Sequence, residues 1–396
     1  MDIGLKRDVS VRVDNHHNSL GESACVQAME IESVESFAVS IPLDEPVAFA
    51  TRVVEERDHA VTYVRTTDGT EGLGYTLGYG GAHIVAEAVE DLLAPMVEGE
   101  DPRDTERLWR EMFDGTVQIG RKGVLLRAIA TVDVALWDVN AKAAGVPLYK
   151  YLGAARESVP AYASGGYYRD EKGLAGLREE MQRYVDRGHD AVKMKVGRLS
   201  PAEEEKRVEA VRETIGDERV LMLDANGKWK NKGEAVRACR RFEPYDPYFV
   251  EEPVMPDSVS LMAAVNEALP YAVAAGELEF SRYGFAELLR EGAVEVVQPD
   301  ATVCGGITEW LKIQGTAASY DVPVAPHYNW DLHAHLVAAS ENGTWVEYFH
   351  RDSDVKVFDD VIEYPLTPDD DGRMRLPDRP GHGIVLDRDR LAEFRV

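Results

Sequence analysis

From residue 158 onward the chain alternates short apolar runs with longer amphipathic stretches. The runs are "SVPAYAS", "AVKMKVG", "RVLMLDAN", "YFVEEP", "YAVAAGE", "VEVVQPD", "VPVAPH" and "TWVEYF". Each is rich in Val, Ala or aromatic residues and bounded by Gly, Pro, Asp or Asn, which is how a buried strand reads. The intervening stretches carry helical periodicity. Eight strand–helix units within roughly 200 residues predict a closed parallel (β/α)8 barrel. An open doubly wound sheet is the rival, but no GxGxxG follows any of these strands.

Ahead of the barrel the pattern differs. "MEIESVESFAVSIPL" reads as a strand, 44–58 as a turn-rich segment, and "HAVTYVRTTDG" as the second arm of an antiparallel pair. Helical patterns follow at about 83–97, 103–113 and 122–145, the last closed by a glycine. Strands followed by helices make an α+β domain. Residues 1–28 are polar and aperiodic, a loose extension that contributes little to the fold. The expected division is therefore an extension over 1–28, an α+β domain over 29–152, the barrel over 153–351, and a turn-rich tail over 352–396 that returns to the first domain.

The exceptions to the apolar pattern carry the chemistry. Each barrel strand has a polar residue at or near its C-terminal end: Ser164, Lys193 and Lys195, Asp224, Glu251, Glu277, Asp300, His327 and Glu347. A strand-terminal carboxylate alone is most often a helix N-cap or a solvated loop residue, and Asp224 in "DANG" suits that reading. A whole series at about one per βα unit is different, because all strand C-ends of a barrel converge on one mouth. Lys193 and Lys195 point to the same face of their strand. They are tolerable together only if the carboxylates of the following strands stand opposite them.

Asp224, Glu251 and Glu277 lie on three consecutive strands. Three crowded carboxylates need a cation, and all-oxygen ligands select a hard one, Mg²⁺ before Mn²⁺ or Ca²⁺, one per chain. Glu252, directly after Glu251, should point away and be structural. Asp300 and His327, on neighbouring strands, form a carboxylate–imidazole pair that orients the ring and raises its basicity. The two lysines should depress each other's pKa, leaving a general base near neutrality. Glycine-rich "GYGGAH" (78–83) reads as a flexible loop over the barrel rather than a phosphate cradle. His333 and His335, two apart on a helix, face different ways and are poor ligand candidates.

Composition narrows the class. The chain has 396 residues, 44% hydrophobic, and a formal charge of −27. Such a field repels nucleic acid and anionic membranes, so neither is an expected partner. The acidity is spread along the chain and arginine is favoured over lysine, which we read as adaptation to molar salt. No apolar run approaches a membrane span and the N-terminus has no apolar signal core. Cys25, Cys239 and Cys304 are far apart with no CxxC, which suits a reducing cytoplasm.

These motifs together resemble the enolase superfamily, mandelate racemase subgroup, over nearly all of 29–396. "KMK", "DAN", "EEP", "GE", "QPD…CGG", "PH" and "WVEYF" occur in order, preceded by "AIATVDVALWDVNAKAAGVPLYKYLG" (128–153). The resemblance implies a capping α+β domain over a modified barrel and an essential Mg²⁺ on Asp224, Glu251 and Glu277. It implies Lys195 and the Asp300–His327 dyad as the two acid/base groups, with Lys193 contacting the substrate carboxylate and Glu347 hydrogen-bonding one of its oxygens. Asp300 stands where the muconate-cycloisomerase branch has a lysine, which argues against that branch. Within the subgroup the chain looks most like acid-sugar dehydratases such as talarate/galactarate dehydratase, through "SGGYYRD" and "PDRPGHG". It departs from that enzyme at 44–58 and around "PHYNWD". Ser164, Tyr167, Asn226, Tyr328 and Asn329 near the mouth suit a hydroxylated small-molecule substrate, and a homo-oligomer is expected. Dehydration of an aldonate or aldarate, racemisation or epimerisation of a 2-hydroxy acid, and a non-catalytic binding role all remain open at this point.

Overall fold

The computed structural model describes residues 29–169 and 172–396, so the extension expected over 1–28 lies outside the described residues. Three antiparallel strands, β1 (Ile31–Ala48), β2 (Val53–Thr66) and β3 (Glu71–Leu77), form the N-terminal sheet in that order. Side chains alternate across it. Val61 and Tyr63 of β2 join the core shared with the barrel, whereas Ala60 and Val64 pack with the helices on the other face. The segment 44–58 is not turn-rich, as the sequence suggested. β1 and β2 pair as far as Ala48 and Val53, and only Phe49–Arg52 forms the tip. Pro42 and Pro46 read as turn signals but flank a register shift between Pro42 and Val47, where an irregular ladder accommodates a missing donor. The tip is stitched to the barrel: Ala48 and Tyr168 exchange backbone hydrogen bonds at 3.0 and 2.9 Å.

The joint between the two halves is the helix Val124–Ala143, apolar on almost every side because it is covered on both. It lies directly on β3. A Cβ at Gly72 would stand 2.1 Å from the Ala135 carbonyl oxygen, and one at Gly74 only 1.8 Å from that of Thr131. Two buried aspartates on this helix reach outward. Asp133 accepts from the Thr308 backbone N–H at 2.9 Å at the start of a barrel helix, and Asp138 accepts from Leu73 and His382 N–H groups at 3.0 Å each.

The barrel strands are β4 (Ser158–Gly165), β5 (Ala191–Lys195), β6 (Val220–Asp224), β7 (Pro247–Glu251), β8 (Ala272–Ala275), β9 (Val296–Val297) and β10 (Val346–Tyr348), parallel throughout in the order β10-β4-β5-β6-β7-β8-β9. The seventh predicted strand is a correction. "VPVAPH" makes no regular strand; Val324 alone bridges Val297 on one side and Gly343 on the other, closing the ring. Pro323 and Pro326 lack the N–H a ladder needs, so pairing there shrinks to one residue. The eighth unit is likewise incomplete, since β10 leads into 3₁₀ turns at Arg351–Ser353 and Val357–Val361 instead of an α-helix. The remaining chain touches both halves. β11 (Arg373–Arg375) pairs antiparallel with β4, and Val396 donates to Ala38 of β1 at 3.1 Å. Among the described residues no helix is long and apolar enough to cross a membrane.

Inside the ring one apolar layer is made by Tyr162, Ala191, Met222, Phe249, Ala274, Val296 and Ala325. Two residues further along a strand, the same face presents the next layer. That step leads from Tyr162 to Ser164, Ala191 to Lys193, Met222 to Asp224, Phe249 to Glu251, and Ala325 to His327. The apolar layer is the floor, and the polar strand ends are the mouth.

Candidate active site

Register fixes who meets whom. Ser164 lies beside Lys193, Lys195 beside Asp224, and Asp224 beside Glu251. Glu277 arrives from just past β8. Gly276 before it has φ +145°, and a Cβ there would stand 2.8 Å from the Phe285 ring, so only glycine lets the chain turn Glu277 inward. Asp224, Glu251 and Glu277 are all buried, with one carboxylate oxygen from each within 4.8 Å of the others. Glu251 Oε1 has no hydrogen-bond partner although it is buried. Three converging hard oxygens, one of them orphaned, fit a hard divalent cation.

The two ammonium groups lie on these carboxylates. Lys193 Nζ is 2.5 Å from Glu251 Oε2 and 2.7 Å from Glu347 Oε1, and Lys195 Nζ contacts Asp224 Oδ2. Lys193 does lower Lys195, but the expectation of a lysine left near neutrality is overturned by these partners. Burial lowers both, but Glu251 and Glu347 outweigh it at Lys193, and Asp224 does so at Lys195, so both ammoniums are held above their ordinary range. Glu251 is pushed up, by burial first and then by Asp224.

Glu252 also departs from expectation. Alternation along a strand points Glu252 away from the mouth, but β7 ends at Glu251 and Glu252 has φ +40°. That turn buries its carboxyl completely, with neither oxygen hydrogen-bonded. Burial, then Glu277 and Glu251, drive its pKa far up. "GYGGAH" is neither a cradle nor a loose loop: the Gly80 and Ala82 N–H groups both donate to Asp58 at 2.8 Å, which ties the turn to β2.

On the opposite side His327 Nδ1 is 3.1 Å from Asp300 Oδ2, and its Nε2 is 3.4 Å from Glu277 Oε2. Burial lowers the imidazole, but Glu277 and the Asp300 hydrogen bond prevail and raise it to about 9. Asp300 is also the N-cap of the short helix Ala301–Cys304, accepting from Thr302 N–H and Oγ1 at 2.8 Å each. Burial would raise it, yet His333 and His327 hold it well below the usual carboxylate range.

The remaining predicted residues also reach the mouth. Glu347 Oε2 accepts from the Tyr328 N–H at 2.9 Å; Tyr328, at φ +65°, lies against His327 with ring centroids 5.4 Å apart. Asn226, at φ +43°, donates its N–H to Asp224 Oδ1 at 2.9 Å. Tyr167 stands 5.1 Å from Lys195 Nζ, and Phe49 from the tip of the N-terminal hairpin stands 5.8 Å from it. The Ser164, Tyr328 and Asn226 side-chain oxygens are buried without partners. Asn329, expected near the mouth, is found there, whereas sequence reasoning missed His333, Phe49 and Arg57. Asn329 donates to Asp300 Oδ2 at 3.2 Å, and His333, set aside as a ligand, has its Nε2 accepting from Ala301 N–H at 3.0 Å and 3.4 Å from Asp300. The periodicity of a helix gives no sign that one of its faces touches a strand end 32 residues earlier. Phe49 and Arg57, the latter with its Cζ 5.7 Å from the centre of the Tyr328 ring, come from the other half of the chain and carried no motif.

Comparison with known proteins agrees with this geometry. Residues 31–153 match the mandelate racemase/muconate lactonizing enzyme N-terminal domain, and 176–390 match the enolase C-terminal domain-like family. Arabinonate dehydratase of Saccharolobus solfataricus is 36% identical over 88% of this chain and 94% of its own. L-talarate/galactarate dehydratase of Salmonella typhimurium is also 36% identical, over 90% and 89%. A solved mutant of an L-talarate/galactarate dehydratase, liganded with Mg and L-glucarate, superposes with a TM-score of 0.87 at 30% identity, over 98% and 97% of the two chains. A racemase from Streptomyces coelicolor with bound magnesium gives 0.86 at 33% identity, over 92% and 100%. The chain belongs to the mandelate racemase/muconate lactonizing enzyme family of the enolase superfamily.

Proposed function

We propose that the protein is an Mg²⁺-dependent dehydratase of an acid sugar, aldonate or aldarate, giving a 2-keto-3-deoxy acid. One observation carries this reading: the two acid/base candidates flank the carboxylate triad from opposite ends, Lys195 on Asp224 and His327 3.4 Å from Glu277. A hard divalent ion held by Asp224, Glu251 and Glu277 would neutralise the triad, compete with the lysines for its oxygens, and lower the cost of a second negative charge on the substrate carboxylate. Lys193, between Glu251 and Glu347, is placed to hold that carboxylate with its ammonium. An ion on Asp224 would withdraw the carboxylate that holds the Lys195 proton; as the neutral amine, Lys195 takes the α-proton, and the electron pair moves into the carboxylate as an enediolate. His327, kept protonated by its acidic neighbours and oriented by Asp300, gives its proton to the β-hydroxyl as the C–O bond breaks. Water leaves, and the enol tautomerises to the 2-keto acid. Dehydratases among the relatives support the class of reaction.

Racemisation or epimerisation is the second reading, favoured by the same flanking pair: without a β-hydroxyl the second group can only return a proton to the opposite face. A panel of four-, five- and six-carbon acid sugars with Mg²⁺, read by semicarbazide for 2-keto acid and by deuterium uptake in D₂O, separates the two. Exchange or inversion with no keto product across the panel overturns dehydration.

A further inference from the structure

The helices that follow β4 and β5, Gly173–Asp186 and Pro201–Ile215, pack side by side on the outer face of the barrel. Between their first turns lies a cavity of about 430 Å³, within the size range of small-molecule sites. Its lining includes none of the lysines, carboxylates or histidine of the mouth. Tyr167, whose ring lies against Lys195, and the Ala48–Tyr168 backbone pair wall the two spaces off from each other.

Two kinds of surface meet in this cavity. Leu174 and Leu199 are 41% and 44% exposed, and with Leu177 they form an apolar side. Leu199 precedes the N-cap Ser200, where an apolar side chain ordinarily packs on the fourth residue of the helix. Here that residue is Glu204, which instead accepts the Leu199 N–H at 2.7 Å, so the leucine side chain has no apolar partner in its own helix. Five cations complete the lining. Arg169, Lys172 and Arg207 are paired with Glu45, Glu180 and Glu204. Arg198 and Lys206 have no ion pair among the described residues, and Arg198 donates only to the Phe49 carbonyl, at 3.2 Å. Glu203 is the one acid among the described lining residues, and the Ser200 N–H and hydroxyl already donate to it at 3.1 and 2.5 Å.

A chain with a formal charge of −27 supplies carboxylates freely, as those on Arg65, Arg107 and Arg351 show. Two cations left without one beside exposed leucines suit a ligand that brings its own negative charge. We infer that this cavity binds a small organic anion, its apolar body on the leucines and its anionic head on Arg198 and Lys206. The site is distinct from the reaction centre, needs no metal ion and does not rest on the acid-sugar reading. It does lie close behind that centre, because Arg207 in its lining donates to the Gly166 and Lys195 carbonyls at 2.6 and 3.0 Å.

The test is calorimetry on the full chain with Mg²⁺ in 0.1 M KCl, using phenyl phosphate, inorganic phosphate and benzyl alcohol as probes. Phenyl phosphate should bind once per chain, about tenfold or more tighter than either other probe, since it alone engages both surfaces. The exposed pair Arg198→Ala and Lys206→Ala, combined, should weaken phenyl phosphate about thirtyfold. Lys193→Met, which alters only the mouth, should change its affinity less than about twofold. Leu199→Asp gives an independent reading: it keeps both cations but places a carboxylate in the apolar side, and should abolish binding. No phenyl phosphate binding by the wild-type protein, or equal affinity for inorganic phosphate, overturns the inference. So does unchanged affinity in the double variant or in Leu199→Asp. A loss in Lys193→Met as large as in the double variant would place the ligand in the mouth and overturn it as well.

Discussion

Lys193 is enclosed by Glu251 and Glu347 and is 1% exposed, so its ammonium and the carboxylates hold one another in place. The consequence is a site that stays folded without a divalent ion, because two lysines neutralise what a cation would. Chelation should therefore abolish turnover yet shift the melting temperature only a few degrees, and Mg²⁺ should restore both by mass action. Lys193→Met should cost about 3–5 kcal/mol in chelated protein, since two buried carboxylates lose their partner, and markedly less with Mg²⁺ present. Equal destabilisation with and without the ion would show that lysine and cation do not compete. The other side of the triad gives a second prediction. His327→Asn and Lys195→Ala should each lower dehydration by about 10³-fold or more while leaving the fold intact. In His327→Asn the α-proton should still exchange in D₂O, because Lys195 remains; in Lys195→Ala it should not. The reverse pattern would exchange the two roles.

The elements show why some of this was readable in the sequence and some was not. Period-two alternation correctly brought Lys193, Asp224 and Glu251 to one face, since β5, β6 and β7 are regular up to those residues. It failed one residue later at Glu252, where positive φ ends the alternation. It also failed at "VPVAPH", where two prolines leave Val324 as the only paired residue, although His327 still reaches the site. Contacts between halves were invisible: the hairpin tip with Phe49 and the face bearing Arg57 are set by how the cap seats on the barrel. That seating depends on the helix Val124–Ala143 lying flush on β3. Gly74→Ala should cost about 3 kcal/mol or more, because its Cβ would meet backbone of that helix rather than a movable side chain. Gly69→Ala, with φ +86° but nothing within 4 Å, should cost only about 1 kcal/mol. Similar losses at the two sites in thermal denaturation would argue against a rigid joint.

At the scale of the whole molecule the formal charge of −27 dominates the exterior, while the site's charges are paired and buried. Salt therefore acts on the surface: the Debye length falls from about 10 Å at 0.1 M to about 3 Å at 1 M. Stability should rise with KCl, most of it below roughly 1 M if screening is the cause, because ion exclusion would continue to build beyond that. The helix Pro201–Ile215 offers a local version of the test. Glu205, Glu209 and Glu213 recur every fourth residue along it, so like charges face one another. Glu205 is relieved at 3.5 Å by Arg241, in the turn after the helix Lys232–Cys239, and Glu213 at 2.5 Å by Arg178 of the helix Gly173–Asp186. Glu209, exposed between them, has no such ion pair among the described residues. Glu209→Lys would convert two repulsions into two attractions, the stronger with Glu205, which precedes it in the favourable order. The expected gain is about 1 kcal/mol in 0.1 M KCl, shrinking towards zero in 2 M. A gain that persists unchanged in 2 M KCl would come from packing or helix propensity, and a wild-type melting temperature flat between the two concentrations would show that the acidic surface is not an adaptation to salt.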